Sequence, residues 1–367
     1  MVVKNLFHDI TSKFREDILS GKLSFGEKLP PEAELAEEFN VSRPTIAKIY
    51  NALQIEGLVK KKPGYGTTVT YMTDKKHFCF GLLLPGSGES EIFGILNDHF
   101  LEFSKQNDYS CLWDGTIANN AEIRQNLILK NCQRYIDQKV DGVLFSPLER
   151  TTRANYLNDK VCKMLDSVGI PVVLIDRDIT AFPNRSKYDV IGIDNYNAGY
   201  VMAELLIKAG CQYINFFLRK DSAYSVNLRM AGCFSACYNY GLSFIPENTF
   251  IGEPSDINIV RKIKVFSGKT GLLCANDSTA AVLMSTLHKL GIKVGEDILM
   301  AGFDDMKYAK HLQVPLSTYK QPLLDIARTC INAMKGKLLN PLHASCTYNL
   351  QGKIIIREST RFIKKTN

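Results

Sequence analysis

Four apolar runs in this 367-residue chain end on residues able to bind a polar guest: "VLF" on Ser146, "VVLI" on Asp176 and Arg177, "LLCA" on Asn276 and Asp277, and "MAGF" on Asp304 and Asp305. Ionised carboxylates accept hydrogen bonds from neighbouring hydroxyls, whereas arginine and asparagine donate them. Converging on one cleft, such a set suits a polyhydroxyl compound, and a sugar is its natural guest. The same residues could instead cap the helices that follow them, a role expected of Asp277 ahead of "STAAVLMSTL".

A second set lies between Asn40 and Val69, in "NVSRPTIAKIYNALQIEGLVKKKPGYGTTV". From Arg43 to Lys62 five basic residues (Arg43, Lys48, Lys60, Lys61 and Lys62) stand against one acid, Glu56, while acids gather earlier at Glu32, Glu34, Glu37 and Glu38. One face is therefore basic and another acidic. Lysines pair with phosphates, and Gly64 and Gly66 let the backbone come close to a partner with Tyr65 at the tip between them.

The elements that must position this second set are legible. Leu6, Ile10, Phe14 and Ile18 recur at helical spacing, and Gly21, Gly26 and Pro30 then break the helix. Pro31 opens "EAELAEEF" with acids in the first turn, and Ser42 stands as an N-cap before Pro44, with Ile46, Ile49 and Leu53 on one side and Gly57 at the end. "LVKKKPGYGTTVT" reads as a hairpin around P-G-Y-G. The spacing predicts a winged helix-turn-helix that can place one helix in the DNA major groove and its wing against a phosphate or the minor groove. The DNA-facing candidates are Ser42, Arg43, Thr45, Lys48, Lys60, Lys61, Lys62, Gly64, Tyr65 and Gly66. A solvated basic face or a protein-interaction module is the plainer alternative.

The first set needs a different frame. Strand-like runs appear at "FCFGLLLP", "YSCLW", "VDGVLFSP", "IPVVLID", "DVIGID", "YINFFL", "TGLLCAND" and "ILMAGFDD", with amphipathic stretches between them. That alternation predicts α/β lobes with parallel sheets, whose ligands sit beyond the carboxyl ends of the strands. The series pauses at "ITAFPNRSKY", Ile179 to Tyr188, read as the crossing between two lobes. The expected domains are residues 1–70, a linker 71–77, and 78–367.

Composition and failed motifs narrow the function. Hydrophobic residues make up 45% of the chain, enough for packed cores, and its net charge is +7. Ten cysteines at irregular spacing suggest neither a zinc ribbon nor a disulfide framework. The apolar runs are too short to span a bilayer and the start "MVVKNLFHDI" is unlike a signal peptide, so no membrane association and a cytoplasmic location are expected. "GSGESE" has Glu91 where a dinucleotide loop needs its third glycine, "SGKT" at 267–270 has Ile263 where a P-loop needs its first, and six histidines lie scattered. No catalytic residue, metal or cofactor is expected, and the chain is read as no enzyme.

The blocks "LSFGEKLPPEAELAEEFNVSRPTIAKIYNALQIEGLVKKKPGYGTTV" resemble the GntR-type DNA-binding domain, with Ala33 and Ala47 where many members carry an arginine. From about Phe78 to Phe362, the blocks "VDGVLFSP", "IPVVLIDR", "IGIDNYNAG", "LRMAGC", "LLCANDSTAAVLM", "VGEDILMAGFDD", "LSTYKQP" and "IIIREST" resemble the effector domain of LacI/GalR-type regulators, similar in fold to type I periplasmic sugar-binding proteins. This resemblance implies ligand contacts at Arg229, Asn276 and Asp304, a D-R pair at Asp176 and Arg177, and an aromatic against the sugar face at Phe93; Ser146 and Lys320 complete the ligand-binding set. The pairing of head and sensor resembles the arabinose-repressor-like branch. It implies a homodimeric repressor of a carbohydrate-utilisation operon that binds operator double-stranded DNA and a small sugar effector. A purine or nucleoside effector, a sugar-binding protein and a sugar enzyme without a DNA role are the alternatives.

Overall fold

The computed structural model describes the chain except residues 1, 20–21, 63, 72–76, 86–90, 107–108, 114–120, 267–268, 342 and 362–367. The "GSGES" stretch, most of the linker and the first half of "SGKT" therefore lie outside the described residues. Two compact units result, Met1–Phe78 with Asn332–Ala344, and Cys79–Ile331 with Ser345–Asn367.

In the first unit α1 (Val2–Leu19), α2 (Glu32–Glu38) and α3 (Arg43–Ile55) precede a hairpin of β1 (Val59–Lys62) and β2 (Gly66–Val69). Its core is made by the periodic residues, with Ile10, Phe14 and Ile18 of α1 packing on Leu35 of α2 and on Ile46, Ile49, Tyr50 and Leu53 of α3. Pro31 sits at the N-cap of α2, with Glu32 and Glu34 in the first turn, where the helix end favours negative charge. Gly57 ends α3 at φ +75°, a conformation that a side chain would strain. A short segment not foreseen from sequence adds to the wing: Lys28 bridges Thr68 antiparallel, and the Leu29 N–H donates to the Thr67 carbonyl at 2.8 Å.

The second unit runs β3 (Phe78–Leu83), α4 (Glu91–Gln106), β4 (Tyr109–Leu112), α5 (Ala121–Asp137), β5 (Gly142–Phe145), α6 (Ala154–Ser167), β6 (Val172–Ile175) and β7 (Asp189–Ile193). It continues through α7 (Asn195–Lys208), β8 (Tyr213–Leu218), α8 (Tyr224–Asn239), β9 (Thr249–Ile251), α9 (Ile257–Val260), β10 (Thr270–Cys274), α10 (Asp277–Lys289) and β11 (Ile298–Phe303). The last elements are β12 (Ser317–Lys320), α11 (Leu323–Leu339), whose residues from Asn332 on are grouped with the first unit, β13 (Thr347–Leu350) and β14 (Lys353–Ile355). Two six-stranded sheets form, in the orders β13-β7-β6-β5-β3-β4 and β14-β12-β11-β10-β8-β9. They define a first and a second lobe. The pairings from β13 through β3 are parallel, as are those from β12 through β9, while β14 lies antiparallel on β12.

The expected lobe crossing is corrected. β7 pairs with β6 in the first sheet, so "ITAFPNRSKY" is a loop within the first lobe and the chain crosses only after Ile193. It returns as β13 beside β7 and leaves again as β14 beside β12. At this last crossing Gly352 is hemmed in, since a Cβ there would lie 2.3 Å from the Lys320 carbonyl oxygen. The lobe cores form on the apolar faces of α5 and α6, through Cys132, Tyr135, Val161 and Leu165, and of α10, through Leu283, Met284 and Leu287.

The packing of α7 on α8 positions the site directly. Their backbones touch: a Cβ on Gly199 would stand 1.9 Å from the Arg229 carbonyl oxygen, and one on Gly232 2.0 Å from that of Tyr196. Only glycine fits at either place, and the close approach fixes where Arg229 emerges.

Candidate functional site

The head presents its basic residues on α3 and the hairpin. Arg43 is 71% exposed at the first position of α3, and Lys48 on the same helix is also exposed. Ser42 holds the N-cap position, but its hydroxyl bonds the Thr45 hydroxyl at 2.8 Å rather than a backbone N–H. Lys60 is half-buried, while Lys61 and Lys62 are exposed on β1. Gly64 and Gly66 take φ values of +73° and +104°, and between them Tyr65 is exposed with the Lys28 ammonium 3.8 Å from its ring centre. Glu32, legible in the sequence only as part of an acidic cluster, lies among them: one carboxylate oxygen bonds the Lys61 ammonium and the other is 3.6 Å from Arg43 Nε.

In the second unit the strand ends of both lobes bring charged groups together. Arg229, buried on α8, donates from Nε to Asn195 Oδ1 at 2.8 Å and from a terminal nitrogen to the Ala275 carbonyl at 2.7 Å. Its guanidinium lies 4.5 Å from the Phe303 ring centre. Asp304 follows that phenylalanine at φ +109°, where a non-glycine residue is strained, and accepts from Gln321 Nε2 at 2.7 Å. Burial raises the Asp304 carboxyl above its usual value; Arg229 and Gln321 oppose the shift, and the charges of Asp176 and Glu149 add to it. Two of these acids come from the first lobe and one from the second.

Asp176, also at positive φ (+71°), lies 3.3 Å from Arg177 Nε. Arg177 is buried, its other branch 2.8 Å from Glu149 and its guanidinium 5.6 Å from the ring centre of the fully buried Phe93. Glu149 is a residue that sequence reasoning missed, although it stands three residues after Ser146 in the same loop. Its second oxygen accepts from the Ala223 N–H at 2.9 Å, and the Arg150 N–H donates to the Asp221 carbonyl at 2.7 Å, so the two lobes touch here. Burial alone would raise the Glu149 carboxyl, but Arg177, the Ala223 N–H and Arg150 together hold it below its ordinary value. Beside these groups a cavity of about 180 Å³ is lined by residues of both lobes, among them Glu149, Thr151, Asn158, Arg177, Asp221 and Tyr224. The fully buried Ser146 hydroxyl and one Asp176 oxygen have no hydrogen-bond partner among the described residues. Buried polar atoms are normally paired, so such atoms are where a guest hydroxyl gains most.

Three expectations are corrected. Asn276, not Asp277, caps α10: its side-chain oxygen accepts from the Thr279 N–H at 2.9 Å. Asp277 is buried instead, accepting from the Thr318 hydroxyl at 2.7 Å and the Met306 N–H at 3.0 Å. Asp305 caps no helix; it pairs with Arg357 at 2.6 Å and with Lys320 at 3.5 Å, and the Lys320 side chain is exposed rather than enclosed with the other candidates. Asn195 and Gln321, which hold Arg229 and Asp304, lie inside "IGIDNYNAG" and "LSTYKQP", but nothing local marks them as contacts. Chemically the assembly offers three carboxylates and two guanidiniums close to one another, a hydrogen-bonding set. Among the described residues no group of three or more histidines, cysteines and acids could hold a metal ion, and no helix is long and apolar enough to cross a membrane.

Residues 7–69 match the bacterial regulatory proteins of the gntR family, and residues 203–360 match the periplasmic binding protein-like domain. The arabinose metabolism transcriptional repressor of Halalkalibacterium halodurans is 23% identical over 380 residues, covering 96% of both chains. The transcription regulator CcpA of Lactococcus lactis superposes with a TM-score of 0.64 at 19% identity, covering 78% of this chain and 100% of its own. A LacI family transcriptional regulator from Enterococcus faecium, solved with bound ribose, gives a TM-score of 0.60 at 19% identity, again with 78% and 100% coverage. The chain thus joins a gntR-family helix-turn-helix head to a two-lobed periplasmic-binding-protein-like domain.

Proposed function

We propose that the chain is a transcriptional repressor of a carbohydrate-utilisation operon, which binds operator DNA through its head and is released when a small neutral sugar binds between the lobes. Residues 1–70 form the DNA-binding domain, 71–77 the linker, and 78–367 the domain that takes the ligand and pairs two copies. The observation that carries the reading is the cluster at the strand ends of the two lobes: Asp176 and Glu149 pair with Arg177, and Asp304 feels the charges of Arg229, Asp176 and Glu149, on a chain with a helix-turn-helix head. The names of the relatives agree, one a repressor of arabinose metabolism and one a regulator with bound ribose.

Charge narrows the ligand further. The three carboxylates are opposed by Arg177, Arg229 and the nearby Arg150, but Arg177 is already engaged by Glu149 and Asp176, and Arg229 by Asn195 and the Ala275 carbonyl, so an unphosphorylated pentose or hexose is favoured, with hydroxyls bridging Asp304 and Asp176. Closing the lobes on such a guest turns one lobe against the other, and a symmetric dimer converts that turn into a changed spacing between two heads. The protein acts in the cytoplasm, without membrane or cofactor, and is not an enzyme.

Thermal unfolding against a panel of pentoses, hexoses, their phosphate esters and purines tests the ligand reading. A ligand that binds the folded chain raises its midpoint with concentration. One neutral sugar should do so; a response confined to sugar phosphates or to purines would overturn the assignment.

A further inference from the structure

Glu32 is the first residue of α2, and its side chain is only 15% exposed although it lies beside two exposed basic groups of the head. Both its oxygens are engaged, one by the Lys61 ammonium of the wing and one 3.6 Å from Arg43 Nε at the start of α3. The cations remain accessible, Arg43 at 71% and Lys61 at 45% exposure, so the carboxylate neutralises them without hiding them. Among the described residues Lys48, Lys60 and Lys62 have no carboxylate partner, which confines this neutralisation to two of the five basic residues. A second link runs the same way, with the Lys61 N–H 3.4 Å from Gln54 Oε1 on α3, so wing and helix are tied at backbone as well as at side chain.

We propose that Glu32 is a specificity-determining residue of the DNA-facing surface: it brackets Arg43 and Lys61 on one carboxylate, and its charge penalises any duplex that does not draw both cations away. The inference rests on the DNA-binding reading of the head. On a random duplex the gain is the phosphate contacts alone, and an acid held beside two of the cations opposes them. On the right sequence Arg43 can fork onto a base edge, an interaction strong enough to leave the bracket. Glu32 thus lowers affinity everywhere but least at the correct site. It is a positioning residue, acting through Arg43 and Lys61.

The experiment compares the intact chain with its Glu32→Gln, Glu32→Asp and Lys61→Gln variants. Two duplexes of equal length are used, one from the DNA upstream of the chain's own gene and one a scramble of it, and dissociation constants are read by fluorescence anisotropy across a potassium chloride series. Glu32→Gln should bind the scramble about threefold to tenfold tighter and the upstream duplex less than about twofold tighter, with the salt slope on the scramble steeper by about one unit. Glu32→Asp, which keeps the charge, should remain close to wild type on the scramble. Lys61→Gln should weaken both duplexes, opposite in sign to Glu32→Gln, which separates loss of the bracket from loss of fold. Equal changes on both duplexes for Glu32→Gln, or no tighter binding of the scramble, would overturn the proposal. A wild-type chain that binds the two duplexes alike would overturn the reading of the head and the proposal with it.

Discussion

The Glu149 carboxylate joins the two lobes: one oxygen lies 2.8 Å from Arg177 of its own lobe, and the other accepts from the Ala223 N–H of the second at 2.9 Å. A hydrogen bond to a charged group contributes about 1.5–3 kcal/mol, enough to shift a two-state balance about tenfold to a hundredfold. Glu149→Ala should therefore open the lobes, seen as an increased radius of gyration in small-angle scattering, and weaken the effector by a similar factor. An unchanged radius and an unchanged effector affinity would show that this bond does not hold the lobes together.

Asp304 should be essential to the effector and costly to the fold. Replacing it with alanine removes a hydrogen-bonding carboxyl and should weaken sugar binding about tenfold to a hundredfold by calorimetry. DNA binding without effector should persist, since the head has a core of its own. Normal sugar affinity would remove Asp304 from the site.

The same residue gives a pH dependence. Burial raises the folded-state carboxyl, so its contribution to stability is full below the unfolded value and is lost as pH rises through the folded one. Asp304→Asn cannot ionise. Relative to wild type, its urea midpoint should rise as pH is taken from about 4 to about 8, the span in which a raised carboxyl titrates. A constant difference across that span would mean that Asp304 ionises in the folded chain as freely as in the unfolded one.

Much of the frame was legible in the sequence, and the failures have physical causes. The eight apolar runs each became a strand, and all but the edge strand β4 are buried over most of their length, as a strand covered on both faces must be. The strands β9, β12, β13 and β14 gave no such run: they are three or four residues long, and β13 alternates between exposed and half-buried positions. The lobe crossing was misplaced because the loop from Ile179 to Tyr188 has the texture of a linker, whereas the true crossing after Ile193 passes straight into α7. Strand-end acids were visible, but which of Asn276 and Asp277 turns outward depends on the Thr318 hydroxyl, 41 positions further on, and no local pattern carries that. Glu149 and Glu32 were overlooked for the same reason: each is defined by partners on other elements.

The wing lysines should act through phosphates. Neutralising Lys60, Lys61 and Lys62 together should weaken binding to every duplex and flatten the plot of log affinity against log salt by about one unit for each phosphate that is no longer paired. An unchanged slope would take the wing off the DNA.

Two heads that read half-sites about one helical turn apart require a symmetric pair of chains. Sedimentation of residues 78–367 should give a dimer at the concentration at which the whole chain binds DNA. A fragment that stays monomeric there would put the pairing surface elsewhere.

Head and cleft should work as one switch, and a mobility-shift assay tests this most directly: the whole chain on the DNA upstream of its own gene, titrated with pentoses and hexoses. A shifted band without sugar that disappears on adding one neutral sugar, and that persists with the same sugar in the Asp304→Ala variant, is the expected result. No shift at all, or a shift that no sugar alters, would break the link between sugar binding and release from DNA.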